Sequence, residues 1–161
     1  MVGAKPLEKL YLNMKKILII GAGAMGSAFS LPCVENFNKV TIIGTHLETK
    51  MISKLKKNRF HPSLKTLLPK KVVIKNYKYL DEELKKKPNY IVIAVSSNGI
   101  DWVCEKLIKN YKGKYSLILL TKGLAKFKNK LITISTKINN LFKKNKLPYQ
   151  DITSIKVHVL Q

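Results

Sequence analysis

Short apolar runs alternate along the chain with longer stretches in which apolar residues recur every three or four positions. The runs predict strands at residues 16–20, 39–43, 71–75, 90–95, 115–120 and 152–159. The longer stretches predict helices near residues 24–37, 47–57, 79–87, 98–111 and 127–144. Strands that alternate with helices in this way are typical of parallel βαβ units, so the predicted fold class is α/β.

The fourth and fifth predicted strands are continuously apolar, which indicates burial on both faces of the sheet. The last predicted helix carries one apolar stripe with lysines opposite it. That stripe consists of Leu131, Ile134, Ile138, Leu141 and Phe142. We therefore expect three layers, in which a parallel sheet lies between two layers of helices.

The length of the chain fits one domain, because it has 161 residues and domains most often have about 100–150. Met14 is followed at once by the first predicted strand. Residues 1–13 are therefore interpreted as a dispensable leader and residues 14–161 as the domain. The uncharged run at residues 17–34 contains three glycines and Pro32, which favours a strand and a turn over a transmembrane segment.

A glycine motif, Gly21-Ala22-Gly23-Ala24-Met25-Gly26, follows the first predicted strand and opens the first predicted helix. In this context GxGxxG is typical of dinucleotide binding: the first glycine permits the turn, the second leaves room for a pyrophosphate, and the third lets helix and strand approach. The helix amino terminus then offers backbone N–H groups to an anion. The motif predicts a Rossmann-type doubly wound sheet that binds NAD or NADP. The alternative is a glycine-rich turn without a ligand.

The second predicted strand ends with Gly44-Thr45-His46, and the next carboxylate along the chain is Glu48. Many folds that prefer NAD carry an acidic residue at the end of this strand, where it binds the ribose. We expect no group at the strand tip to repel a 2′-phosphate, and Thr45 and His46 are candidates to hydrogen-bond to one. The choice between NAD and NADP stays open at this point.

The chain is strongly basic, with a formal net charge of +22 and 31 basic residues, all of them lysines except Arg59. Arginine is the usual reader of phosphates and bases, and aromatic residues make up only 8% of the chain. We expect a positive field that attracts small anions and no specific nucleic-acid partner. The two cysteines have no zinc-type spacing, so no metal site is predicted, and a reducing, cytoplasmic location fits them.

Several segments in order resemble the amino-terminal domain of NAD(P)-dependent glycerol-3-phosphate dehydrogenase, over about residues 16–155. The segments are the glycine motif, Val-Thr-Ile-Ile-Gly-Thr at 40–45, Asn-Arg-Phe-His-Pro at 58–62, Leu-Pro at 68–69, Ala-Val-Ser-Ser at 94–97 and Leu-Thr-Lys-Gly-Leu at 120–124. The resemblance implies reversible hydride transfer between the nicotinamide and carbon 2 of dihydroxyacetone phosphate or sn-glycerol 3-phosphate, which are small-molecule phosphate substrates.

The resemblance also assigns roles to residues. Lys122 matches the family lysine that contacts substrate and coenzyme. Ser96 and Ser97 are candidates to line the coenzyme side, although Ser97 and Asn98 could equally cap the next helix. Arg59 and His61 either pin a loop over the cleft or are surface residues.

The sequence departs from the family at its end, because the Gly-Pro turn and the helical domain that follow the sixth strand are absent. In the family that domain supplies the general acid/base lysine. We therefore expect a truncated coenzyme-binding domain that binds NADH or NADPH but reduces dihydroxyacetone phosphate slowly or not at all. Its exposed domain face favours a homodimer or other self-association. Met25 and Ser96 are smaller departures from the family pattern.

Three other interpretations remain. Ketopantoate reductase has a similar glycine turn, although the segments at 58–62 and 121–124 favour the first resemblance. A lone Rossmann domain can also sense a nucleotide without catalysis. A basic protein that binds RNA or an acidic membrane is supported by the net charge alone.

Overall fold

The computed structural model describes residues 13–110 and 116–147, together with the backbone of residues 152–154. The strands in this part of the chain are β1 (Lys16–Ile20), β2 (Lys39–Ile43), β3 (Phe60–His61), β4 (Thr66–Leu67), β5 (Val73–Lys75), β6 (Tyr90–Ile93), β7 (Ser116–Leu119), β8 (Leu124–Phe127), β9 (Lys130–Thr133) and β10 (Ile152–Ser154). The α-helices are α1 (Ala24–Glu35), α2 (Thr49–Asn58), α3 (Leu80–Lys85), α4 (Ile100–Asn110) and α5 (Ile134–Lys144). Short 3₁₀ turns lie at His46–Glu48, Tyr77–Tyr79 and Ser97–Gly99.

Six strands form one parallel sheet in the order β10-β7-β6-β1-β2-β5. Counted along the chain, this is the strand order 3-2-1-4-5-6 of the doubly wound dinucleotide fold. β1 lies at the centre, where Ile17 is in register with Val40 of β2 and with Tyr90 of β6. The predicted Rossmann-type fold is confirmed.

The core has two parts, one on each face of the sheet, because successive side chains of a strand point to opposite faces. Leu18 and Ile20 of β1 belong to the cluster that includes α3, α4 and α5. Ile17 and Ile19 belong to the cluster that includes α1 and α2. Helices therefore cover both faces, which explains why the central strands are continuously apolar.

The predicted helix at 127–144 is wrong in its first part. Residues 124–133 form the antiparallel hairpin β8–β9, and the helix begins at Ile134. Lys128 and Asn129 both have positive φ, of 45° and 62°, as the favoured two-residue hairpin turns require. The Thr133 side chain accepts a hydrogen bond from the Thr136 N–H and so caps the helix. Leu131, which was assigned to the helix stripe, is 73% exposed.

Other boundaries move by a few residues. The third predicted strand begins at Val73 rather than at 71, and the fourth ends at Ile93 rather than at 95. The sixth is described only as the Ile152–Ser154 backbone, which pairs with β7. The proposed leader lies outside the described residues except for residue 13. No helix in the described ranges is both long and apolar enough to cross a membrane, and the apolar run at 17–34 becomes β1, a turn and α1.

Candidate functional site

The predicted site residues follow four strands of the sheet at the same edge, which we call the carboxyl edge. The glycine loop, residues 21–26, follows β1; Thr45 and His46 follow β2; Ser96 follows β6; and Lys122 follows β7. Because these strands are parallel neighbours, their carboxyl ends meet there, and ligands of such sheets bind outside those ends. The fold therefore brings the predicted residues to one edge of the molecule.

Two glycines of the loop are required by close backbone approaches. Gly21 has φ of +115°, and a Cβ at this position would lie 2.5 Å from the Ala94 carbonyl oxygen. A Cβ at Gly26 would collide with the Gly21 carbonyl oxygen and lie 3.0 Å from the Ala94 Cβ. Only glycine fits both positions, so the loop turns tightly and α1 packs close to the ends of β1 and β6.

The amino terminus of α1 is open at the carboxyl edge. Gly23 is the N-cap, and the Ser27 N–H makes a helical hydrogen bond to the Gly23 carbonyl at 3.0 Å. The N–H groups of residues 24–26 precede that bond and have no partner within the helix. Ala24 and Met25 are exposed, and the first turn contains no acidic residue. This cradle fits the diphosphate of a dinucleotide, because backbone donors and the helix dipole both favour an anion.

Glu48 reaches back to the strand tip, which sequence analysis did not anticipate. Its Oε1 accepts the Ala22 N–H at 3.0 Å, and its Oε2 accepts the Thr45 N–H at 2.7 Å. The structure thus places a carboxylate at the tip of β2, where the sequence predicted no group that would repel a 2′-phosphate. The cause is a capping box, in which the side chain three residues after the N-cap Thr45 folds back onto the N-cap N–H. The Thr-x-x-Glu spacing was the signal for it.

His61 holds the glycine loop from the other side. The side chain is fully buried, and its Nδ1 accepts the Leu64 N–H at 3.3 Å. Nε2 therefore carries the proton and donates to the Ala22 carbonyl at 3.1 Å. The Ala22 peptide group is thus fixed at both ends, by Glu48 at its N–H and by His61 at its carbonyl oxygen. Of the two interpretations of His61, the surface one is wrong.

Arg59 is also a structural residue. Its guanidinium donates to the carbonyl groups of Leu68, Pro69 and Val72. Burial lowers the pKa of this guanidinium. Arg59 therefore ties the segment before β5 to the end of α2.

His46 and Thr45 lie at the tip of β2 in different environments. Thr45 is buried, whereas His46 is exposed. The His46 ring makes edge-on contacts with Trp102 and Tyr77, with ring centres 6.0 Å and 6.4 Å away. These contacts hold an imidazole beside two aromatic rings at the carboxyl edge.

Lys122 is exposed beside the end of β7. The preceding Thr121 hydroxyl donates to the Val95 carbonyl at 2.7 Å and so fixes the end of β7 to the end of β6. Gly123 has φ of +112°, so the lysine is followed by a left-handed turn. Ser96 is exposed, and its carbonyl accepts the Gly99 N–H at 2.9 Å. The Ser96 side chain makes no capping hydrogen bond to the 3₁₀ turn that it precedes.

A cavity of about 750 Å³ lies at the opposite, amino edge of the sheet, where its lining includes Lys16, Lys39 and Val73. It does not belong to the carboxyl edge, where the loops converge.

No group of three His, Cys, Asp or Glu side chains in the described ranges could hold a metal ion. Burial and the neighbouring Asp101 charge raise the pKa of the Cys104 thiol to about 12.

Comparison with known proteins identifies the family. A family model described as NAD-dependent glycerol-3-phosphate dehydrogenase N-terminus matches residues 16–153. The chain is 33% identical over 121 residues to an NADP(+)-dependent glycerol-3-phosphate dehydrogenase of Archaeoglobus fulgidus, which covers 73% of this chain and 34% of the relative. It is 27% identical over 132 residues to a glycerol-3-phosphate dehydrogenase (NAD(P)+) of Clostridium botulinum, which covers 79% of this chain and 38% of the relative. The chain thus spans between about a third and two fifths of the length of these relatives.

The crystal structure of glycerol-3-phosphate dehydrogenase from Coxiella burnetii shares the fold, with a TM-score of 0.60 and 24% identity over 70% of this chain and 34% of that one. Between the two resemblances, the family model decides against ketopantoate reductase. Because that model matches most of the chain, the protein belongs to the family of NAD-dependent glycerol-3-phosphate dehydrogenase N-terminal domains.

Proposed function

We propose that this chain is the coenzyme-binding part of an oxidoreductase that interconverts sn-glycerol 3-phosphate and dihydroxyacetone phosphate. The coenzyme is NAD or NADP, as the family and the names of the relatives indicate. The observation that carries the proposal is the open amino terminus of α1, framed by Gly21 and Gly26, where a Cβ would collide with backbone. When bound, the nicotinamide supplies the hydride acceptor or donor.

The position of each residue along the carboxyl edge determines which part of the coenzyme it contacts. The backbone N–H groups of the glycine loop bind the diphosphate, with Ala24 and Met25 at the exposed start of α1. Thr45 and His46 at the tip of β2 contact the adenosine half. Ser96 and Lys122 lie on the other side of β1, after β6 and β7, and contact the nicotinamide half. The Lys122 ammonium also attracts the substrate phosphate or the developing alkoxide.

Coenzyme binding by the 161-residue chain is the direct test. NADH and NADPH are titrated while their fluorescence is followed, with wild type and with Gly23→Ala and Gly23→Val. Gly23 has φ of −68°, and a Cβ there would have Glu48 Oε1 at 3.6 Å as its contact within 4 Å. Both variants should therefore melt near the wild-type temperature yet bind coenzyme at least about tenfold more weakly, because the new side chain occupies the diphosphate position. Unchanged binding by both variants would refute the proposed site.

The role of Lys122 has a matched control nearby. Lys126 on β8 is exposed like Lys122, so Lys126→Gln removes the same charge without altering the proposed site. We expect Lys122→Gln to weaken NADH binding several-fold more than Lys126→Gln does. Equal effects would show that only the general positive field matters.

Leu124 and Leu131 lie on one face of the β8–β9 hairpin and are 58% and 73% exposed, which supports self-association as a homodimer. Sedimentation of wild type and Leu131→Lys tests this, since a dimer through that face should dissociate in the variant.

We also propose a cytoplasmic location, which the free thiols of Cys33 and Cys104 support.

A chain that starts at Met14 should keep coenzyme binding if residues 1–13 are dispensable. RNA binding should be lost at physiological salt, because lysine-rich surfaces bind nucleic acid non-specifically.

A further inference from the structure

We propose that Glu48 makes this domain select NAD over NADP. The inference rests on the proposed coenzyme site and adds to it which coenzyme the site prefers. Its basis is the position of one carboxylate, which joins the glycine loop to the tip of β2.

The two oxygens of Glu48 are fixed by backbone donors from two segments. Oε1 lies 3.0 Å from the Ala22 nitrogen, and Oε2 lies 2.7 Å from the Thr45 nitrogen. A Cβ on Gly23 would lie 3.6 Å from Oε1, so the charge also borders the second glycine. In dinucleotide folds the adenosine ribose lies between the glycine loop and the end of the second strand. Glu48 therefore holds a negative charge where the ribose hydroxyls are expected.

The carboxylate can still accept hydrogen bonds from a ribose. Each oxygen has two acceptor sites and uses one of them for a backbone N–H. A 2′-hydroxyl can donate to a free acceptor site, whereas a 2′-phosphate has no proton to spare and carries charge of the same sign. Like charges brought together in this way weaken binding. The geometry thus favours NAD and opposes NADP.

Dinucleotide folds that bind NADP usually accommodate its 2′-phosphate with a nearby arginine. Arg59 is the single arginine of the sequence, and its guanidinium is engaged by the carbonyl groups of Leu68, Pro69 and Val72. It is therefore committed to the segment before β5. This chain relies on lysine and His46 for any compensation, and lysine lacks the bidentate fork that matches a phosphate.

The test compares dissociation constants of NADH and NADPH on the same preparation of the full chain, by fluorescence titration. For wild type we expect NADPH to bind about tenfold more weakly than NADH. In Glu48→Gln the ratio should fall to about threefold or less, mainly because NADPH binds more tightly. Glu35→Gln is the matched control, since Glu35 is exposed at the far end of α1 and its loss changes the net charge equally. That control should leave the ratio unchanged.

The outcomes separate this inference from the proposed function. If wild type binds neither coenzyme, the proposed function itself fails. If wild type binds both and NADPH binds as tightly as NADH, or if Glu48→Gln leaves the ratio unchanged, the proposed function stands and the role of Glu48 is refuted. If Glu48→Gln does not fold, competition decides: adenosine 2′,5′-bisphosphate, which is 5′-AMP with an added 2′-phosphate, should displace NADH from wild type about tenfold less effectively than 5′-AMP. Equal displacement would overturn the proposal.

Discussion

His61→Leu tests whether the glycine loop depends on a side chain far away in sequence. The substitution removes the Nε2 donor to the Ala22 carbonyl and the Nδ1 acceptor for the Leu64 N–H. The Ala22 carbonyl also accepts the Ser27 hydroxyl at 3.2 Å, so it keeps one partner in the single variant. We therefore expect His61→Leu to lower the free energy of unfolding by about 2 kcal/mol, the net value of the two hydrogen bonds that it removes.

The double variant His61→Leu/Ser27→Ala removes both partners of a carbonyl in a fully buried residue, since Ala22 is 0% exposed. A buried acceptor without a partner costs about 1–3 kcal/mol. The loss in the double variant should therefore exceed the sum of the two single losses by about 1 kcal/mol. Urea denaturation of wild type, both single variants and the double variant measures this coupling.

Two controls separate hydrogen bonding from packing. Gln places an amide donor near the position of Nε2, so His61→Gln should retain more stability than His61→Leu. Coenzyme affinity should fall in His61→Leu and recover in His61→Gln, because the Ala22 peptide belongs to the glycine loop. Additive losses in the double variant, or coenzyme binding unchanged by His61→Leu, would refute the reasoning.

Three further predictions follow from burial and charge. Gly26→Ala places a Cβ against the Gly21 carbonyl oxygen and should lower the free energy of unfolding in urea by about 3 kcal/mol or more. Burial alone raises the pKa of Glu83, but the hydrogen bonds from two lysines lower it by a larger amount. The net pKa is therefore below the ordinary 4.5. The resulting stabilisation is present at neutral pH and declines as the pH falls below 4.5, so Glu83→Gln should cost about 1 kcal/mol at pH 7 and less at pH 3 in urea denaturation. Because burial raises the pKa of Cys104 to about 12, iodoacetamide should modify it at pH 8 only after unfolding, as mass spectrometry can show.

The sheet could be predicted because its strands carry their own boundaries. β1 and β2 begin with a lysine and end immediately before a glycine, and both were predicted to the residue. The continuous apolar character of the fourth and fifth predicted strands, now β6 and β7, indicated burial between helices, and the glycine motif fixed which end of the sheet bears the site. Local sequence was sufficient here because the signals lie within the elements themselves.

The β8–β9 hairpin could not be separated from a helix by spacing alone. Leu131 stands three and seven positions before Ile134 and Ile138, which fits a helical stripe. The same segment also alternates, because Ala125 and Phe127 are half-buried whereas Leu124 and Lys126 are exposed. Which period prevails depends on packing against α5, and sequence spacing does not contain that information.

The contacts that hold the Ala22 peptide were not predicted, for a related reason. Glu48 contacts Ala22 from 26 positions away, and His61 does so from 39 positions away. Each contact requires a turn that places the side chain of Glu48 or His61 against the glycine loop. The contact forms only when the segment that carries the side chain has packed beside β1. The glycines revealed the location of the site, whereas its supports depend on tertiary contacts.

Glu48 accepts backbone hydrogen bonds that hold the glycine loop, and it also selects the coenzyme. A substitution that changes the coenzyme preference therefore also changes the hydrogen bonding of the loop. Glu48→Ala removes the charge but also both acceptors, so the Ala22 and Thr45 N–H groups lose their partners. Glu48→Gln removes the charge and keeps one acceptor. Both variants should therefore bind NADPH more tightly than wild type does. The Gln variant should lose less stability than the Ala variant, because it keeps one acceptor for the backbone N–H groups whereas Ala keeps none.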